Sequence, residues 1–247
     1  MKGRYRFIII AAVVAIVASG LLYLLHFVIF QDAHHIFIYM IGDIAFVFIE
    51  VLLVTLIIHQ LLSVREKRAR LEKLNMVIGV FFSEIGTDLV TYFSDFDPKL
   101  EKIKQELIVR PNWSEKEFSA LSKRLKRYDY GVEIEKVELE YLRGFLIGKR
   151  DFLLRLLENP NLLEHESFTE LLRAVFHLTE ELQGREDISQ LPDSDYDHLA
   201  GDIKRAYVLL VQHWLDYMKH LKDNYPYLFS LAMRTNPFDQ TASPIVN

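Results

Sequence analysis

The sequence has no cysteine. That excludes disulfides, thiolate metal sites and cysteine nucleophiles. It also lacks a basic excess: the formal net charge is -5, so no overall positive field points to nucleic acid. Glycine-rich phosphate loops are absent, which removes the usual nucleotide cradles. Gly-x-Ser-x-Gly is absent too, so hydrolase chemistry has no support. Glu-x-x-His, the repeated element of di-iron bundles, does not occur. With no catalytic motif, neither an enzyme nor a cofactor is expected.

The most telling absence is of charge. From Phe7 to Phe30 there is no Asp, Glu, Lys or Arg. At about 1.5 Å rise per residue, such a run is ample for a hydrocarbon core of roughly 30 Å. A second apolar run, Ile36 to Leu62, carries only Asp43, Glu50 and His59 as polar ionisable groups. In lipid both runs must be helical, because the bilayer offers no partner for exposed backbone. The link Gln31-Asp32-Ala33-His34-His35 is short enough to fold them into an antiparallel hairpin. A cleaved signal peptide is the competing reading of the first run, with Ala18-Ser19-Gly20 as its cleavage site. The apolar run continues ten residues beyond Gly20, too far for that reading.

Charge at the ends sets orientation. Lys2, Arg4 and Arg6 precede the first run, and Arg65, Lys67, Arg68, Arg70 and Lys73 follow the second. The link between them has no Lys or Arg. The positive-inside rule therefore puts both termini in the cytoplasm. Tyr5 and Tyr39 suit the two interfaces, and the basic segment suits anionic headgroups. The lipid bilayer is thus the first expected partner.

Asp43 and Glu50 are seven residues apart and share a helix face. A charge near mid-bilayer costs roughly 2.5–3.5 kcal/mol on insertion scales. Counting inward across the hairpin sets Asp43 level with Tyr23 and one turn from His26. An Asp43–His26 or Asp43–Tyr23 contact is expected. Glu50 falls level with Ile16 and finds only Ser19 nearby, which favours a homo-oligomer in which Glu50 meets its own copies. Ala11, Ala15 and Ser19 form a small-residue stripe that allows close helix approach. Two functions follow. One is an oligomeric, membrane-anchored interaction or regulatory module with an unidentified cytoplasmic protein partner. The other is a small ion or proton channel lined by Glu50 and Asp43. The first leads, because two helices alone seldom form a pathway.

Beyond Leu62 the composition becomes that of a soluble protein. Leu71, Leu74, Ile78, Phe81, Phe82, Ile85, Leu89 and Phe93 recur at three- and four-residue spacing. They predict an amphipathic helical stalk over 63–97, ended by Asp95-Phe96-Asp97-Pro98. Ser114-Glu-Lys-Glu117 and Ser167-Phe-Thr-Glu170 read as capping boxes, and Ser194 as the cap of a long helix to about Lys222. Glu133 to Leu157 reads as one helix stopped by Asn159-Pro160. The fold class is all-α: a transmembrane hairpin (1–62), the stalk, a cytoplasmic helical bundle (98–234) and an extended tail (235–247).

Arg65–Leu89, REKRARLEKLNMVIGVFFSEIGTDL, follows a span containing VLLVTLI (Val51–Ile57). Together they resemble a group of uncharacterised bacterial two-span membrane proteins. Asn224–Phe238, NYPYLFSLAMRTNPF, resembles the same group's ending. The resemblance implies a bacterial inner membrane, no known activity and no functional residue to carry over.

Several histidines stand near acids at helical spacing, as metal ligands would. His177 has Glu180 and Glu181 at helical spacing, Asp195-Tyr-Asp-His198 is a distant relative of the di-iron motif, and Asp216 lies between His213 and His220. Without the required motif, surface ion pairs and solvated histidines are the expectation, and no metal site is assigned.

Overall fold

A computed structural model describes residues 2–163 and 165–245. The side chains of residues 2–5, 7, 8, 68–70, 161 and 163 lie outside this description, and with them the expectations placed on Lys2, Arg4, Tyr5, Arg68 and Arg70. Among the described residues every regular element is helical. The chain divides into two compact units, residues 1–67 and 68–247.

The first unit holds α1 (Lys2–Phe30) and the N-terminal part of α2 (Ala33–Phe81). Only Gln31 and Asp32 separate them. Gln31 takes a left-handed conformation (φ 52°), and its N–H donates to the Phe27 carbonyl at 2.8 Å. Asp32 caps α2: its Oδ1 accepts from the N–H groups of His34 (2.9 Å) and His35 (3.2 Å). From Ile9 to Lys67 every side chain is exposed except His26, Ile36 and Met40, which are half-buried. These helices are apolar all round, so neither has a polar face to turn outward.

The second unit is a helical bundle around a continuous apolar core. A π-helical turn (Phe82–Gly86) follows α2 and leads into α3 (Thr87–Ser94). Then come α4 (Lys104–Leu107), α5 (Glu115–Leu125), α6 (Leu139–Gly148), α7 (Arg150–Leu157), α8 (Pro160–Leu163), α9 (Glu166–Gln183), α10 (Asp193–Asn224) and α11 (Pro226–Arg234). The central pair is α9 and α10. Leu171, Leu172, Val175, Leu178 and Leu182 of α9 are buried, as are Leu199, Ile203, Ala206, Leu210 and Trp214 of α10. Both sets recur at three- and four-residue steps, which gives each helix one apolar stripe.

Local signals succeed where the cap is self-contained. Ser114 and Glu117 form the expected capping box at the start of α5. Elsewhere the starts move. α9 begins one residue before Ser167, because His165 Nδ1 already accepts from the Phe168 N–H at 3.3 Å. α10 begins at Asp193, directly after Pro192, so Ser194 lies inside it. The single helix expected over 133–157 is broken between Gly148 and Arg150, and a short 3-10 turn (Ile134–Lys136) precedes α6. The tail is not simply extended. Asn236 Nδ2 donates to the Leu107 carbonyl at 2.9 Å, Phe238 packs edge-on against Trp214 at 5.0 Å, and both are buried.

Asp97, buried at the end of the α3 segment, ties the following loop down. Its Oδ2 accepts from Tyr128 Oη at 2.9 Å, and its Oδ1 accepts from the N–H groups of Lys99 (3.0 Å) and Gly131 (3.3 Å). Burial, and then the bond to Asp97, pushes the Tyr128 hydroxyl far above the ordinary phenol range. Asp97→Ala leaves these donors unpartnered and is expected to lower stability by about 2–3 kcal/mol. Asp97→Asn keeps an acceptor oxygen and is expected to lose less than half of that. Chemical unfolding of the two variants side by side checks the ranking.

Candidate functional site

The four polar residues singled out in the apolar runs are carried on α1 and α2. Asp43 and Glu50 lie on α2 and are exposed, as is Tyr23 on α1. Among the described residues no hydrogen bond or ion pair joins Asp43 to His26 or Tyr23. His26 instead packs on Phe30, with ring centroids 4.7 Å apart, and stacks on His35 across the turn at 5.9 Å. His35 in turn meets Tyr39 edge-on at 4.7 Å. The reason is proximity: His35 sits at the very turn, whereas Asp43 is two helical turns further along α2.

The bundle brings together a set that the sequence only hinted at. His177 and Glu181 are one turn apart on α9, and His198 and Asp202 are one turn apart on α10. The helices run antiparallel here, so His177 faces Asp202 and Glu181 faces His198. His177 Nε2 lies 3.7 Å from Glu181 Oε1 and 3.4 Å from Asp202 Oδ2. His198 Nε2 lies 3.6 Å from Glu181 Oε2 and 3.4 Å from Asp202 Oδ2. One donor atom from each of the four residues falls within 4.8 Å of the other three.

Burial is graded across the cluster. Asp202 is 2% exposed, while the histidine side chains are 45% and 51% exposed. Asp202 Oδ1 accepts from Arg205 Nη1 at 2.7 Å, but its Oδ2 is buried and has no hydrogen-bond donor. Glu181 is held from behind by Arg185, whose Nη1 donates to Oε2 at 2.8 Å. Arg185 is itself fixed by a two-pronged pair with Asp195, at 2.7 and 2.6 Å. The Arg185 bond holds the Glu181 carboxyl below the usual range, with smaller help from Arg185's charge and the two histidines. Asp195 is lowered by the same arginine.

The other histidines do other work. His213 is buried, its Nε2 lies 3.0 Å from the Ser167 carbonyl, and burial pushes its pKa down. His220 Nδ1 lies 3.1 Å from Asn224 Nδ2. Among the described residues Asp216 forms an ion pair with neither, and burial raises its pKa. The cluster is built from His-x-x-x-Glu on α9 and His-x-x-x-Asp on α10, not from Glu-x-x-His.

Comparison with known proteins finds kin without an assigned activity. Residues 2–62 match a family model described as the N-terminal helical domain of MJ1433. Residues 70–234 match one described as the C-terminal helical domain of uncharacterized protein MJ1433. That protein, from Methanocaldococcus jannaschii, is 50% identical over 234 residues, covering 95% of this chain and 94% of the relative. The relative is archaeal, which corrects the bacterial group suggested by the sequence resemblance. No solved structure matches.

Proposed function

We propose that this chain, which belongs to the MJ1433 family of uncharacterised helical proteins, is a membrane-anchored interaction or regulatory module without catalytic activity of its own. The observation that carries this reading is the exposure of the apolar helices. Ile16 is 72% exposed, Leu22 67% and Phe48 75%, and their apolar neighbours from Ile9 to Leu62 are exposed as well. A soluble monomer rarely leaves more than a few hundred Å² of contiguous apolar surface in water. Two helices, apolar on all sides, far exceed that and need a hydrocarbon solvent. Basic residues flank the pair and are missing from the turn, which favours both ends on the cytoplasmic face. The bundle then meets its protein partner in the cytoplasm. The acids on α2 favour self-association, since a polar group in lipid seeks another polar group.

The absence of cysteine makes the topology directly testable. In intact cells, Ala33→Cys is expected to react with a membrane-impermeant maleimide. Gly3→Cys and Asp223→Cys are expected to react only after permeabilisation. Labelling of Gly3→Cys and Asp223→Cys on opposite faces, or release of the protein by alkaline carbonate, sinks the proposal.

A further inference from the structure

We infer that His177, Glu181, His198 and Asp202 bind one divalent transition-metal ion of the zinc type, clasping α9 to α10. Ligand atoms each about 2.0–2.1 Å from a tetrahedral ion stand roughly 3.3 Å from one another. The four imidazole–carboxylate separations are 3.4 to 3.7 Å, those of Glu181 to its two different oxygens, and with one donor atom per residue all four lie within 4.8 Å of one another, a spread an ion would draw in.

Asp202 Oδ2 lies 3.4 Å from both imidazole nitrogens yet makes a hydrogen bond with neither. A buried carboxylate oxygen left this way is costly, and an ion bonded to it removes the cost. The ligands are supported from behind. Arg205 holds the far oxygen of Asp202, and Arg185, braced by Asp195, holds Glu181. Such partners orient the carboxylates that bind a metal. Two carboxylates balance the charge of one divalent ion, and two neutral imidazoles complete the set.

The donor set also selects the ion. Two imidazole nitrogens argue against magnesium and calcium, which take oxygen. The absence of thiolate argues against copper(I). Four protein donors fill a tetrahedral shell, which is the closed arrangement of a structural site. The half-exposed histidines leave a route for entry.

The test uses the full chain purified in detergent, stripped with a chelator and then titrated with zinc alone. One equivalent of zinc is expected, with a rise in Tm that grows with zinc concentration. The double variant His177→Gln/His198→Gln is expected to bind at least ~100-fold more weakly and to lose the Tm rise. Arg185→Gln, which touches no ion, is expected to weaken binding by about 10–100-fold. Cobalt added in place of zinc should give visible ligand-field bands in the native chain and none in the double variant. If the double variant loses its helical signal, Glu181→Gln serves in its place. Equal zinc affinity in native and variant chains overturns the inference, as does a native chain that takes up no zinc.

Discussion

Phe81→Ala is expected to destabilise the bundle by about 3–5 kcal/mol. Phe81 is 0% exposed. Its ring meets Phe168 of α9 edge-on at 5.4 Å and Phe82 edge-on at the same distance. Truncation removes the apolar transfer energy of the ring and both aromatic contacts, and leaves a cavity that packed neighbours only partly fill. Space here is already filled: a Cβ placed on Gly86 would come within 2.8 Å of the Phe81 ring and 2.7 Å of the Phe82 ring. Val80→Ala is the control. It lies one residue earlier on the same helix but is 50% exposed, and is expected to change stability by under about 0.5 kcal/mol. Unfolding of both variants in the same detergent gives the comparison. Equal losses would mean that α2 enters the core on a different face.

How far the sequence was legible depends on how local each determinant is. The all-helical class was readable, because the apolar positions of α9 and α10 repeat with the helical period throughout. The Ser114–Glu117 cap was readable because both of its bonds close within four residues. The start of α9 was not, because His165, two residues earlier, takes the capping role by accepting from the Phe168 N–H. The break at Lys149 was hidden for another reason. Leu142, Leu146, Leu153 and Leu156 are all buried, so the apolar period runs through the break without a stop signal. Asn236 bonds to Leu107, 129 residues away, and no local pattern announces such a partner.

The His–carboxylate cluster shows the same division. Each helix carries its pair at a spacing visible in the sequence. That His177 meets Asp202, and Glu181 meets His198, is set by the register of α9 against α10, which only packing fixes. Arg185 and Asp195, which bracket the loop between those helices, help set that register through their two-pronged pair.

Leu22→Lys separates the two environments open to the apolar helices by the sign of its effect. Leu22 is 67% exposed and stands near the middle of the span Ile9–Phe30. If water solvated this helix, lysine at an exposed site would be neutral or would improve solubility, as at ordinary surface positions. If lipid solvates it, leucine contributes favourably by a few tenths of a kcal/mol and lysine costs roughly 2.5–3.5 kcal/mol, a swing of about 3–4 kcal/mol. The expected result is a large drop in the fraction of chain that resists alkaline extraction. Leu22→Ala, of the same exposure but without charge, should retain most of it. A snorkelling lysine lowers the cost near a span's ends but not at its centre, so position is part of the prediction. Ile9→Lys, at the edge of the same span, is expected to lose much less than Leu22→Lys. A gradient that falls from centre to edge is a property of a slab of hydrocarbon, and neither a soluble helix nor a protein-covered one would reproduce it.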